Sequence, residues 1–183
     1  MKKSAIIALL VLLVLFAAHI IPDFGPDTIW NSDQSLQEYL ERDRYPDWDI
    51  TVLKTVRKGY VMGVIYQRDD QLCAAFFKET LFGLRWKYDG MTMLNTSEEE
   101  PLSMCGRWTR TMDGSRCDVE IVGDNRKGLA GSYEVEGHET MSRDDLESDF
   151  ILDIYIIDGI DELPLHDQLI QYTPEGQVMG REK

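Results

Sequence analysis

Two histidines of the chain stand directly before acidic residues, as His138-Glu139 and His166-Asp167. A histidine that meets a carboxylate can act as a general acid or base, so both pairs raise the hypothesis of a small hydrolase. The carboxylates that the fold would have to bring to either histidine are Asp144, Asp145 and Asp161. Both histidines stand in polar, loop-like stretches, where such neighbours are usually surface residues.

Sequence motifs of common enzyme classes give no further support to that hypothesis. The chain lacks a nucleophile elbow, a phosphate loop, a dinucleotide fingerprint, a zinc-protease helix and paired CxxC motifs. The sequence therefore predicts no catalytic residue and no cofactor.

Acidic residues cluster in two stretches near the C-terminus. The first contains Asp144, Asp145, Glu147 and Asp149, and the second contains Asp158, Asp161 and Glu162. Carboxylate oxygens are the ligands that calcium prefers, but neither stretch has the order of a calcium loop with its central glycine and terminal glutamate. The interpretation as a solvated acidic loop is favoured, and the first stretch gives only weak candidates for metal ligands.

Aromatic and basic side chains alternate at two places. They are Arg85, Trp86 and Lys87, and then Arg107, Trp108 and Arg110. Tryptophan and arginine are enriched at binding hot spots, so these residues form the predicted partner-binding surface. The same alternation favours an alternative, in which Trp86 and Tyr88 face the core while Arg85 and Lys87 face solvent.

An apolar run over residues 5–21 begins after Lys2 and Lys3 and ends at Pro22. As a helix it would reach roughly 26 Å, within the range of membrane-spanning helices. Bulky Phe16 stands two positions before Ala18 and weakens a cleavage site, so we expect an uncleaved anchor. The positive-inside bias then predicts a single-pass protein of the cell membrane whose C-terminal domain is extracytoplasmic.

Composition limits the partners of the exported part. Without Lys2 and Lys3, the chain has 17 basic and 33 acidic side chains, a formal net charge of about −16. Nucleic acid and an anionic membrane surface are therefore disfavoured as partners. Three cysteines are too few for a disulfide scaffold, and we expect buried thiols. A two-residue hairpin turn would set Cys117 nearer Arg110 than Cys105, which argues against that disulfide.

The 183 residues divide into an anchor (1–22), a stalk with a short helix (23–46) and a β domain (47–183) with halves at 47–94 and 101–183. Leu36, Tyr39 and Leu40 form the apolar stripe of that helix. Alternating patterns predict strands at 48–52, 60–66, 72–78 and 84–88, a four-stranded antiparallel meander, and then at 107–110, 117–122, 132–136 and 150–157, with a final hairpin over 168–179. Asp89-Gly90 should end the fourth strand, and 137–148 should be a polar excursion with one short helical turn.

The fold expected from this pattern is mainly β of the α+β class. Its strands would form a two-layer sandwich or a strongly curved sheet, with one early amphipathic helix. A parallel α/β architecture is disfavoured, because no helix-length segments alternate with the strands.

The stretches 59–66, Phe76-Phe77-Lys78, 81–86 and the terminal 169–176 carry a resemblance. Their strand pattern and closing hairpin resemble those of uncharacterised, membrane-anchored extracytoplasmic domains of Gram-positive bacteria. Such domains often have an aspartate-rich turn where this chain has Thr173-Pro174-Glu175. The resemblance implies a location and brings no catalytic residues.

Three functional hypotheses follow from the sequence. The leading one is a membrane-anchored binding, accessory or sensory module at the cell envelope, because the topology is not accompanied by a catalytic motif. Its partners would be the bilayer through residues 5–21 and an envelope protein or a small ligand. The alternatives are a small envelope hydrolase using a histidine and scattered carboxylates, and a structural envelope component.

Overall fold

The computed structural model describes residues 7, 9–15, 27–30, 33–80, 84–94, 97–111, 114–159 and 162–180. Their strands are β1 (Thr28–Trp30), β2 (Ile50–Lys58), β3 (Val61–Arg68), β4 (Gln71–Thr80), β5 (Arg85–Met93), β6 (Leu102–Thr111), β7 (Gly114–Asp124), β8 (Ser132–Val135), β9 (His138–Arg143), β10 (Phe150–Asp158) and β11 (Leu169–Tyr172). Helix α1 (Asp33–Glu38) continues as a π-helical segment over Tyr39–Arg44. The prediction of a mainly β chain with an early helix is confirmed.

Sheet A has the strand order β1-β5-β4-β3-β2 and is antiparallel throughout. Strands β2 to β5 are the predicted meander, and Gly59, with a φ of +54°, supplies the left-handed conformation needed in the first turn. Thr28–Trp30, predicted to belong to the stalk, instead forms β1 and pairs with the start of β5.

Strand β5 does not end at Asp89-Gly90, contrary to the prediction. Pairing with β4 continues to Met93, and a register shift next to Phe76 absorbs the irregularity. Gly90 has a φ of +138°, a conformation that a residue with a side chain rarely adopts. Glycine at this position therefore permits a bulge within the strand.

Sheet B has the order β10-β7-β6, and sheet C has the order β11-β8-β9. Buried Gln171 of β11 joins the two sheets, because its side-chain amide donates to the carbonyl of Leu102 and accepts from the backbone N–H of Leu102, both at 3.0 Å. The polar excursion with a short helical turn predicted over 137–148 is wrong in part, because His138–Arg143 forms strand β9, which has buried Met141 as its apolar anchor, and 144–148 is not helical.

Alternation along β4 separates the two faces of sheet A. Cys73, Ala75 and Phe77 pack towards helix α1, whereas Ala74 and Phe76 pack towards Val122 and Leu152 of sheet B. Sheet C covers the far face of sheet B through a third apolar cluster that includes Ile121, Tyr133 and Met141. The structure is therefore a stack in which helix α1, sheet A, sheet B and sheet C follow one another.

The predicted stripe of the early helix is confirmed. Leu36, Tyr39 and Leu40 are buried, and the Tyr39 ring lies 5.9 Å from the Phe77 ring in an edge-on arrangement. Burial of each leucine contributes about 1.5–3 kcal/mol. The helix is therefore part of the folded domain.

The apolar run over 5–21 lies largely outside the described residues, although residues 9–15 are helical. Within the described part of the chain, no helix combines the length and the apolar character required to span a membrane.

Candidate functional site

Strand β7 carries two acidic side chains into the interface between sheets A and B. Asp118 and Glu120 are two residues apart and therefore share one face of the strand. Both are fully buried, with 0 % exposure. The intervening Val119 faces the opposite way and packs in the cluster shared with sheet C. The strand was predicted from its alternation, but the burial of its acidic face was not.

Three further charged side chains meet this pair, and the five together are called the charged seam: Lys78, Asp89, Arg107, Asp118 and Glu120. Lys78 Nζ lies 3.2 Å from both Asp118 Oδ1 and Asp89 Oδ2. Arg107 Nη1 donates to Glu120 Oε1 at 2.8 Å, and Arg107 Nε lies 3.9 Å from Asp89. The seam therefore joins β4 and β5 of sheet A to β6 and β7 of sheet B.

The seam contains three carboxyl groups and two cations. Burial raises the pKa of Glu120 to about 8, and neighbouring Asp118 raises it further against the opposing effect of Arg107. Glu120 is therefore protonated at neutral pH, which leaves two carboxylates facing two cations. A protonated carboxyl beside an ionised one also has the electrostatics of a general acid–base pair. Because neither side chain exposes any surface, a substrate cannot contact them in this arrangement.

Neighbouring side chains contact three members of the seam, Arg107, Asp118 and Glu120. The Arg107 guanidinium lies 4.3 Å from the centre of the Phe76 ring, and Tyr60 Oη donates to Asp118 Oδ1 at 3.5 Å. Cys105 Sγ lies 3.6 Å from Glu120 Oε2. Burial and the neighbouring Glu120 raise the pKa of Cys105 to about 12, so its thiol stays protonated and weakly nucleophilic.

The cysteines are free thiols. Cys73 and Cys117 are buried as expected, and Cys105 is half-buried. The hairpin register differs by two residues from a turn at Asp113-Gly114, because Thr111 pairs with Gly114 and Cys117 pairs with Trp108. Cys105 pairs with Glu120, so the two thiols do not face each other, as the argument against that disulfide expected. Burial also raises the pKa of Cys117 to about 11.

The predicted partner-binding residues lie on two sheets but at one end of the stack, the seam end. The register connects Lys58, Val61, Lys78 and Lys87 in one row across β2 to β5. Lys87 is exposed. Arg107 belongs to the charged seam, and strand β6 continues past Arg107 to Trp108 and Arg110.

The aromatic members of the predicted surface differ in burial. Trp108 is 41 % exposed, whereas Trp86 is buried, as the core interpretation predicts. Arg85 is also buried, which contradicts its expected solvent position: it donates to the Thr28 carbonyl at 3.1 Å and lies 4.9 Å over the exposed Trp30 ring. For Arg110 the structure gives only the backbone, which pairs with Ser115.

The histidines and acidic clusters lie elsewhere. His138 lines a cleft of about 400 Å³ together with Glu134, Glu136 and Glu139. Asp144, Asp145 and Glu147 line a different cleft of about 370 Å³, so they do not join His138 in one cavity.

Among the predicted residues that the structure describes, His166 and Asp149 do not line either of these clefts. His166 and Asp149 are exposed, and Asp161 lies outside the described residues. Across the described part of the chain, no group of three histidine, cysteine or acidic side chains is arranged to hold a metal ion.

Sequence reasoning did not identify Asp118 and Glu120. The available signal was two acids at alternate positions of a strand whose other face and flanks are apolar, Cys117 to Val122. Comparison with known proteins gives no family, because no family model, no curated protein and no solved structure matches the chain.

Proposed function

We propose that this protein is a membrane-anchored extracytoplasmic module that binds a partner protein through the seam end of its sheets. The observation that carries the proposal is that exposed cations of sheet A and an exposed tryptophan of sheet B occur at this end of an otherwise acidic domain, with Trp108 on the face of β6 opposite to Arg107. The exposed members include Lys58 of β2, Lys87 of β5 and Trp108 of β6.

The lysines at the seam end favour a partner that presents an acidic group there. Paired strands bring Lys58 and Lys87 into the same row as Lys78 of the seam. Charges more than about 8 Å away are largely screened at physiological salt, so a partner docking here responds to these local cations more than to the net negative charge of the domain. Tryptophan is among the residue types enriched at binding hot spots.

The apolar run supports the location. Six residues, 22–27, separate its end from β1, and an extended chain of that length spans about 20 Å. An anchor over 5–21 would therefore hold the domain close to the bilayer.

The location is tested by protease shaving of intact cells, followed by mass analysis of the fragment retained in the membrane. We expect loss of the domain after Trp30 and retention of a fragment that begins at Met1. Protection of the domain would contradict the extracytoplasmic orientation.

The binding surface is tested by placing a photo-crosslinking residue at position 108 in cells that produce the protein. The matched control is position 48, because Trp48 is 44 % exposed against 41 % for Trp108 but precedes β2 at the opposite end of sheet A. We expect a discrete crosslinked product from position 108, and its weakening by Lys87→Glu. Equal crosslinking from both positions would contradict a binding surface at the seam end.

The cleft that contains His138 supports hydrolysis as a second candidate function, since a histidine and three glutamates share one concave surface. Chromogenic ester, peptide and glycoside substrates would test it. Activity that His138→Ala abolishes and His166→Ala preserves would support the hydrolase, and absence of turnover in the unchanged chain would contradict it.

A further inference from the structure

The interface between sheets A and B has two different halves. One half is apolar and contains Phe76, Val122 and Leu152, while the seam end is charged. The side chains of Lys78 and Arg107 are each 20 % exposed and Asp89 is 32 % exposed, whereas Asp118 and Glu120 lie beneath them without exposure. Protons and water therefore have to pass the partly exposed side chains to reach the buried carboxyls.

The groups around Glu120 come from every neighbouring element. Asp118 stands on the same strand, β6 contributes Cys105 and Arg107, and β10 contributes apolar Ile154 at the paired position. Across the interface, the charged groups are Lys78 of β4 and Asp89 of β5, and Tyr60 precedes β3. With Glu120 protonated the seam is electrically balanced, and with Glu120 ionised it carries one net negative charge in a buried position.

We propose that the charged seam is a proton-operated latch between sheets A and B, closed when Glu120 is protonated and loosened when Glu120 is ionised. The protonated carboxyl can donate to Asp118 while accepting from Arg107, so one proton satisfies both acids. Ionisation removes that donor and sets two buried carboxylates side by side on β7. Their repulsion and the cost of burying an additional charge favour separation of the sheets at this end, whereas the apolar half of the interface does not titrate.

The latch does not depend on whether the seam end binds a partner. The raised pKa of Glu120, about 8, sets the pH range in which it would operate.

The first test follows the carboxyl carbon of Glu120 by NMR in the full chain, in a non-ionic detergent, with the signal assigned through the backbone. An ordinary glutamate titrates near pH 4.3. We expect Glu120 to titrate between about pH 7 and 9, as burial requires. Titration below about pH 6 would overturn the proposal, and this measurement needs no variant that has to fold.

The second test is amide hydrogen exchange of the unchanged chain and of Glu120→Gln, compared with each other at the same pH. Glutamine reproduces the protonated acid, because it accepts from Arg107 and donates to Asp118. We expect equal exchange near pH 6, and near pH 9 roughly ten-fold or more faster exchange of the unchanged chain in β4, β5, β6 and β7 at the seam.

The control is Glu134→Gln, which alters an exposed glutamate of sheet C and should leave the exchange of these strands unchanged. Equal exchange of the unchanged chain and Glu120→Gln near pH 9 would overturn the latch. Acceleration in β8, β9 and β11 as large as that at the seam would also overturn it, because opening would then not be concentrated between sheets A and B.

Discussion

Two polar clusters at the sheet interfaces differ in burial and in charge balance. The charged seam lies between sheets A and B, and a tyrosine–aspartate cluster lies between sheets B and C. In the second cluster, Asp153 accepts from Tyr133 Oη at 2.8 Å and from Arg143 Nη1 at 3.1 and 3.2 Å. Tyr155 Oη lies 2.7 Å from Tyr133 Oη. One carboxylate therefore meets one guanidinium and neutral donors.

The seam instead has three carboxyl groups for two cations, and two of the carboxyls are fully buried. From this difference we expect sensitivity to pH where fully buried charges do not balance. A cluster whose charges already balance gains nothing from an added proton, whereas the seam requires one to become neutral.

The largest expected effect is that of Arg107→Met, which keeps an apolar stem over Phe76 but removes a cation from the seam. We expect a loss of about 3 kcal/mol in the free energy of unfolding, because the seam keeps one uncompensated negative charge and buried Glu120 loses its hydrogen-bond donor. Arg143→Met removes the corresponding cation of the second cluster, where the arginine side chain is 37 % exposed and water can replace it. Its expected loss is about 1 kcal/mol. Denaturant unfolding of both variants near pH 7 measures the difference, and equal losses would contradict the comparison.

The second prediction concerns the dependence of stability on pH. Native Glu120 keeps its proton up to about pH 8, whereas an unfolded glutamate releases it near pH 4.3. Between these values the unfolded chain binds fewer protons, so the contribution of Glu120 to stability is full below about pH 4.3 and is lost as pH rises through about 8.

Glu120→Gln removes this dependence, and we expect the variant to be more stable than the unchanged chain near pH 8.5. Unfolding is measured in steps from about pH 5 to 8.5, because other groups change the stability mainly below or above this range. Below it, Asp124 contributes through a pKa that Arg126 lowers, and above it the unfolded thiols ionise. Parallel curves for the two chains would show that Glu120 does not titrate in this range.

The sequence predicts those parts of the two clusters that a short-range pattern, such as alternation or a turn, encodes. Alternation predicted strand β7, and the hairpin turn predicted that Cys117 would not lie opposite Cys105. Both are local properties, so one sequence suffices. The burial of Asp118 and Glu120 arises only when β4 and β5 pack over β7, and no short-range pattern encodes that contact.

Two local errors have the same origin. Strand β9 is polar at all but one core position, so its sequence resembles a loop until Met141 packs into the stack. Gly90 resembles a chain break, but pairing with β4 holds it in a bulge. In both cases tertiary contacts outweigh local propensity.

Tyr133→Phe tests whether the balanced cluster is insensitive to pH. Removal of the hydroxyl leaves Asp153 without one donor while Arg143 remains, so we expect a loss of about 1–2 kcal/mol. Burial raises the pKa of Tyr133, which therefore stays protonated, and the loss should be constant from about pH 5 to 9.

Tyr172→Phe is the matched control for that measurement. Its hydroxyl donates at 2.5 Å to Glu134, which is exposed, and its removal should cost under about 0.5 kcal/mol. The stability lost in Tyr133→Phe could instead vary with pH as strongly as the contribution expected of Glu120. Balanced charge would then not explain why a polar cluster is insensitive to pH.

The smallest expected effect comes from the exposed edge of the seam end. Arg116 Nε donates to Asp158 Oδ1 at 2.5 Å, but the Asp158 side chain is 70 % exposed and the Arg116 guanidinium also lies 5.5 Å from the Tyr60 ring centre. Asp158→Asn should therefore change the free energy of unfolding by less than about 0.5 kcal/mol, and the change should shrink further as salt is added. If Asp158→Asn lowered the free energy of unfolding as much as Arg107→Met does, exposed ion pairs at the seam end would matter as much as buried ones. The charged seam would then have to include the Arg116–Asp158 pair.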